Sequence, residues 1–265
     1  MSAPETILQR IKSHLAFFII IVIIFIMDVI LAVIDPMFPP WPVIETTYTL
    51  FCFSIQGCAL LYIIGGFLIV RWIKTGKSNT ATLCWGLAFC AYGFLLIGLI
   101  MQALHLPWAD MTQPGIFFIY RNVMIIWAAL MYNGIMRIIT QNKKWVLYPT
   151  ILILVSGYSI FIVGLSLTSI EHMMYAFLYS IWIPVCILIV YLFWMHGRMM
   201  QIKSSKILTI GFLMLTVTYV AWSSTHATYN YYIIYALFNI ANTFILIGFV
   251  ILPYETRIKQ LESEK

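Results

Sequence analysis

Long apolar stretches dominate this chain, and short polar segments separate them. A helix needs about 20 apolar residues to cross the ~30 Å hydrocarbon core of a bilayer. The pattern predicts eight such helices, at 15–34, 46–70, 81–104, 115–139, 145–167, 172–195, 207–224 and 230–252. The seventh stretch is the shortest and the richest in Thr and Ser. We therefore predict an all-α fold, a polytopic membrane bundle of eight transmembrane helices, with seven as the alternative.

Composition supports this prediction. The chain has 265 residues, of which 63% are hydrophobic and 9% charged, and a soluble domain could not hide so much apolar surface. The first apolar run resembles a signal peptide, but it is about 20 residues long and lacks a small-residue cleavage site, so we expect a retained helix. The predicted organisation is an N-terminal segment at 1–14, a single transmembrane bundle at 15–252 and an amphipathic tail at 253–265. The tail either lies on the membrane surface or continues the last span.

The basic residues predict orientation. Every Lys and Arg except Arg121 falls in a terminus or in alternate loops, and the remaining loops carry none. The positive-inside rule then places both termini in the cytoplasm and fits an even number of spans. The net charge of +6 therefore marks topology, and we expect the lipid bilayer of the plasma membrane as partner, with no nucleic acid.

Two formal charges lie inside the predicted spans. Asp28 and Arg121, the latter within "FFIYRN", each lie six residues from the outer end of their span, which is roughly 9 Å below the outer interface. Matched depth and opposite sign favour an interhelical ion pair. Two alternatives remain open: Arg121 snorkels to the outer headgroups, or it binds a carboxylate or phosphate while Asp28 orients it.

Amide side chains form a second candidate group. They are Gln56 in the second span, Asn122 and Asn133 in the fourth, and Asn239 and Asn242 in the eighth. Buried amides act as interhelical hydrogen-bonding groups that contribute about 0.5–1 kcal/mol each. The alternative is a polar cavity or pathway near the middle of the membrane.

Three histidines, His105, His172 and His226, lie in predicted outer loops near Asp110 and Glu171. Converging imidazoles would make a zinc site, but no HExxH motif or His pair four residues apart is present. All five cysteines lie in apolar segments, where packing is the usual role. No span contains a lysine for a retinal Schiff base, and we expect no cofactor.

The section "GGFLIVRWIKTGKSNTATLCWGLAFCAYGFLLIGLI" resembles the multi-pass membrane input domains of prokaryotic sensor kinases. Those domains also have short hairpins, a basic joint such as 71–77, a Trp/Gly/Tyr-bearing helix such as 85–93 and a last span that runs into a cytoplasmic helix. The resemblance covers layout and implies no ligand-binding residue. It implies that a cytoplasmic signalling partner supplies the output, because no kinase or cyclase follows.

Three functions follow as hypotheses. The first is a receptor-like sensory module that binds a small anionic or amphiphilic ligand in the outer half of the bundle, around Arg121 and Asp28. The second is a small-solute transporter lined by the amides Gln56, Asn122, Asn239 and Asn242. The third is a metal-dependent membrane enzyme that uses the outer histidines, and a structural subunit of a larger complex also remains open.

Overall fold

The secondary structure is helical in all the regular elements that the structure describes. The computed structural model describes residues 43–104, 106, 114–140, 142–167, 170–224 and 231–263. Within them, the elements are α1 (Val43–Lys74), α2 (Thr80–Ala103), α3 (Pro114–Ile139), α4 (Lys143–Leu167), α5 (Ile170–Phe177), a π-helical segment (Leu178–Trp182), α6 (Ile183–Met199), α7 (Lys203–Ser224) and α8 (Tyr231–Ser263).

Seven stretches of these helices are long and apolar enough to cross a membrane. They are Phe51–Lys74, Thr80–Met101, Asn122–Ile139, Lys143–Gly164, Met173–Met199, Lys203–Ala221 and Ile234–Ile258. Each corresponds to one of the predicted spans two to eight, and the Thr-rich seventh span is confirmed as a helix. The predicted first span, 15–34, lies outside the described residues, so eight spans remain a prediction. An all-helical chain with seven such helices fits a multi-pass membrane protein.

Glycine lets α1 and α2 approach closely. A Cβ added at Gly65 would lie 2.9 Å from the carbonyl oxygen of Gly86, and one added at Gly86 would lie 3.1 Å from that of Gly65. Lipid tails are as apolar as the helices, so close van der Waals packing takes over much of the role of the hydrophobic effect. The two backbones touch because neither residue carries a side chain here.

The helices pack mainly with their neighbours in sequence. In addition, α8 packs on α1, and α3 contacts both α6 and the π-helical segment. Helix α4 is the most exposed: Trp145, Leu152 and Val155 are all more than half exposed. Such a surface of large apolar side chains is what a lipid-facing helix presents.

One end of the bundle carries the basic residues whose side chains the structure describes. Arg137 of α3 bonds Thr80 of α2 there, and Ser204 of α7 bonds Glu255 of α8. This end, called the basic end below, includes the α1–α2, α3–α4 and α6–α7 connections.

The last helix shows which form the C-terminal tail takes. Helix α8 continues from the last span to Ser263, with Pro253 inside it. Of the two predicted forms of the tail, the continuous helix is confirmed.

Candidate functional site

Aromatic rings fill the middle of the bundle, in what we call the central cluster: Tyr92, Trp127, Trp182, Tyr219 and Phe238. The indole rings of Trp127 and Trp182 stack with centroids 3.9 Å apart. Tyr92 contacts Trp182 at 5.3 Å and Phe238 at 5.6 Å, while Tyr219 lies 5.0 Å from Trp182. Such pairs contribute about 0.5–1.5 kcal/mol each beyond area burial. The cluster therefore joins α2, α3, the π-helical segment, α7 and α8.

A cavity of about 50 Å³ opens beside this cluster, between α2, α7 and α8. Its lining comprises Tyr92, Leu95, Leu96, Leu99, Thr218, Tyr219, Ile234, Tyr235 and Phe238. Leu99 lies near the end of α2 and Ile234 near the start of α8, so the cavity occupies the half of the bundle away from the basic end. Concave, mostly apolar sites with a few polar groups are typical of ligand pockets, and this is the candidate site.

The π-helical segment positions Trp182 for its role in the cluster. The backbone N–H of Ile183 donates to the carbonyl oxygen of Leu178, five residues back, and Pro184 follows directly. A proline ring clashes with the carbonyl four residues earlier in a regular α-helix, and the wider π-turn relieves that clash. Pro184 is visible in the sequence, but a proline within a span does not by itself specify a π-turn.

Two of the predicted amides meet between α1 and α8. The Asn239 amide Nδ2 donates to the backbone oxygen of Phe53 at 3.2 Å and lies 3.4 Å from Gln56 Oε1. Asn242 instead donates to Phe238 of its own helix at 2.9 Å. Both asparagines are at most 1% exposed. Asn122, on α3, is half-buried.

Four of the buried polar side chains have atoms that find no hydrogen-bond partner within the described part of the bundle and lie in or next to this region. The atoms are Nε1 of Trp127, Nε1 of Trp182, Oδ1 of Asn239 and Oδ1 of Asn242. Unpaired buried polar groups cost about 1–3 kcal/mol each, so native proteins rarely leave them without water or a ligand. The middle of this bundle thus offers unused donors and unused acceptors.

The charged candidates fall outside what the structure describes. Arg121 belongs to α3, but its side chain is not among those described, and Asp28 lies outside the described residues. The same holds for His105, His226 and the side chain of His172. Across the described ranges, no group of three metal-binding side chains comes together. The Arg121–Asp28 pair and the histidine site therefore stay predictions.

Sequence reasoning missed a polar network at the basic end. Arg137 Nε donates to Asn133 Oδ1 at 2.6 Å and its Nη1 donates to Thr80 at 3.2 Å. Asn133 Nδ2 in turn donates to the Thr150 hydroxyl at 3.1 Å. The network ties α2, α3 and α4 together. Arg137 had been interpreted as a topology marker, although its place four residues after Asn133 was the signal available in the sequence.

A second contact at the basic end joins α7 and α8. The backbone N–H and the hydroxyl of Ser204 both donate to Glu255 Oε2, each at 2.7 Å. Ser204 is fully buried and lies in the first turn of α7, where unsatisfied backbone N–H groups favour a carboxylate. Next to it, the Ser205 hydroxyl lies 2.7 Å from Nδ1 of His196 on α6. Glu255 therefore acts as a helix cap supplied by another helix.

Comparison of the chain with protein-family models, curated proteins and solved structures finds no match. Any functional conclusion therefore rests on the geometry of the cavity and of the contacts around it.

Proposed function

We propose that this chain is an integral membrane, receptor-like sensory module in which a ligand in the cavity changes the packing at the basic end. The proposal rests on one observation: α8 lines the cavity and continues without interruption to the cap on α7. Phe238 lines the cavity, and Glu255 lies 17 residues further along the same helix, about 26 Å along its axis.

The cavity and the cap at the basic end involve the same pair of helices, α7 and α8. Thr218 and Tyr219 of α7 face Ile234 and Phe238 of α8 across the cavity, and Ser204 of α7 meets Glu255 of α8 at the basic end. We propose that a ligand that separates α7 and α8 at the cavity also changes their contact at the cap. A ligand shifts such an equilibrium only through its different affinity for the two arrangements.

The positive-inside rule makes the basic end cytoplasmic, so α8 would present the signal to a cytoplasmic partner. The outer ligand is proposed to be amphiphilic or anionic, with Arg121 and Asp28 as candidate contacts outside the cavity. Changing Arg121 to Ala should then alter the response to ligand and leave membrane insertion intact. An unchanged response to ligand together with unchanged helix packing would contradict a role of Arg121 in ligand binding.

The test compares two neighbouring residues of α7. Thr218→Phe fills the cavity, whereas Val217→Phe places the same ring at a position that is 54% exposed. Each variant is reconstituted in lipid nanodiscs, and hydrogen–deuterium exchange is measured for the peptide 203–209, which contains the capped Ser204 amide.

We expect the cavity-filling variant to change the exchange rate of this peptide by threefold or more, and the exposed variant to match the wild type. Equal exchange in all three proteins, with Thr218→Phe folded, would contradict coupling between the cavity and the basic end. Among the described residues no observation favours the transporter or the metal-enzyme hypothesis, and both remain hypotheses from sequence.

A further inference from the structure

We infer that the cavity takes the hydroxyl-bearing end of a neutral membrane amphiphile, that is, a primary alcohol on a long apolar chain. The inference rests on the proposed function, because it names the ligand class of the same cavity. The charge of the lining residues, the size of the cavity and its hydrogen-bonding groups each restrict the chemical class of the ligand.

Charge excludes an ionic group at the inserted end. None of the nine described residues that line the cavity is ionised at neutral pH: four are aliphatic, four are aromatic and one is Thr218. Burying a carboxylate, a phosphate or an ammonium group without a partner is strongly unfavourable. The part of the ligand that enters must therefore be neutral.

Size limits the inserted end to a few atoms. An engineered cavity of about 150 Å³ holds benzene, with its six carbon atoms, so a cavity of about 50 Å³ has room for roughly two non-hydrogen atoms by proportion. A trimethylammonium group does not fit, although the four aromatic rings would otherwise suit a cation. The end of a single chain does fit.

Hydrogen bonding distinguishes an alcohol from an alkyl end. The Thr218 hydroxyl donates to the carbonyl oxygen of Met214 at 2.7 Å, so its proton is engaged and its lone pairs are left to accept. In the adjoining layer, the Trp182 indole N–H has no partner among the described residues, and its ring packs against the lining residue Tyr219. Trp182 itself is not among the lining residues, so the hydrogen bond that distinguishes the ligands is the one to Thr218: an alcohol can donate to its lone pairs, and an alkyl end cannot.

Neither a carbonyl end nor an alkyl end has a proton to donate to Thr218. Of these three neutral ends, only the alcohol can make that hydrogen bond.

The test uses four probes of equal chain length: 1-decanol, decane, decanoate and decyltrimethylammonium. The wild-type chain is reconstituted in nanodiscs of a single phosphatidylcholine, and saturable changes in tryptophan fluorescence are followed, since Trp182 adjoins the cavity. We expect 1-decanol to bind at least tenfold more tightly than each of the other probes. Thr218→Phe should lose this binding, and Val217→Phe should keep it within twofold.

A milder variant keeps the test valid if Thr218→Phe fails to fold. Thr218→Val preserves size and removes only the hydroxyl, and one neutral hydrogen bond of about 1 kcal/mol corresponds to roughly fivefold weaker binding. Decane binding as tightly as 1-decanol would overturn the assignment of a hydroxyl group. Decanoate or decyltrimethylammonium binding more tightly than 1-decanol would overturn the assignment of a neutral ligand. Absence of any saturable signal with 1-decanol would overturn the inference.

The outcomes separate this inference from the proposed function. Tight 1-decanol binding with no change in hydrogen exchange at the α7 cap would support the ligand class and contradict the receptor role. Altered exchange in Thr218→Phe with no alcohol binding would keep the coupling and remove the ligand class.

Discussion

Asn239 and Asn242 lie about one turn apart on α8 and are both buried, yet their side-chain amides donate to different partners. Nδ2 of Asn239 bonds across to the α1 backbone, whereas Nδ2 of Asn242 bonds only within its own helix. Oδ1 has no described partner in either residue, and an unpaired buried carbonyl costs free energy. Only Asn239 has an interhelical bond to lose, so the same substitution should lower stability more at Asn239 than at Asn242.

We predict that Asn239→Leu lowers the thermal stability of the ligand-free protein and that Asn242→Leu maintains or raises it. Asn239→Leu also forces a branched side chain against Gly57, where a Cβ would already lie 2.8 Å from Asn239 Oδ1. The expected losses are about 1–3 kcal/mol for Asn239. Thermal unfolding of both variants in the same nanodisc measures the difference, and a larger loss for Asn242 would show that its Oδ1 has a partner.

Single residues were predictable from sequence only where polarity alone marked them. The amides stood out in apolar spans, and the contact of Asn239 with Gln56 agrees with their predicted role as links between helices. Tyr92, Thr218 and Tyr219 did not stand out, because aromatic and Thr residues are common in membrane helices. Which of them line a cavity depends on how α2, α7 and α8 pack, and no spacing within one helix specifies that.

At the scale of elements, the contact between α1 and α2 depends on one of two adjacent glycines. A Cβ at Gly65 would meet the backbone of α2, whereas a Cβ at Gly66 would meet nothing within 4 Å. Small residues at such crossings set how closely helices approach. Gly65 and Gly66 are therefore a matched pair in the same helix.

We predict that Gly65→Ala destabilises the bundle by about 1–3 kcal/mol through overpacking. Gly66→Ala should be neutral or stabilising by up to about 1 kcal/mol, because alanine favours the helix. Unfolding of the two variants in a common detergent compares them directly. Equal effects of the two substitutions would mean that α1 and α2 do not make this close contact.

The π-helical segment makes a second prediction about elements. A π-turn holds one residue more than an α-turn, so deleting exposed Ser180 should convert Leu178–Trp182 to α-helix and keep α5 and α6 in register. Deleting exposed Tyr191 from the regular part of α6 should instead rotate one side of the helix by about 100°. We expect the first variant to fold and the second to aggregate, as size-exclusion chromatography would show.

Aggregation of both deletion variants would indicate that the π-helical segment does not result from one extra residue accommodated in the helix. Sequence reasoning identified the helix around Pro184, and it could not identify the π-turn, because the same proline is compatible with a simple kink. The stacking of Trp182 on Trp127 selects the π-turn only once α3 is in place.

At the scale of the whole molecule, the long apolar stretches were enough to predict the helices that the structure describes. The spans follow from local hydropathy, which packing does not alter. Orientation follows from the basic residues, and it remains a prediction. The arrangement of helices could not be predicted, since it depends on contacts between distant residues such as Ser204 and Glu255.

The number of spans determines on which sides of the membrane the two termini lie. We predict eight spans, so a reporter at either terminus should be protected from a membrane-impermeant reagent in intact cells, as should a cysteine introduced at Lys77 or Gln201. Seven spans would expose the N-terminal reporter and keep the C-terminal one protected. Exposure of Lys77 and Gln201 would reverse the predicted orientation.

The central claim is that a ligand in the cavity between α2, α7 and α8 changes the cap that Glu255 provides to α7. The most direct test is hydrogen exchange of peptide 203–209 in the wild-type protein while 1-decanol is titrated into the nanodiscs. We predict an exchange rate that changes threefold or more and saturates at the concentration at which tryptophan fluorescence saturates. Saturation of the fluorescence with no change in exchange would contradict the claim.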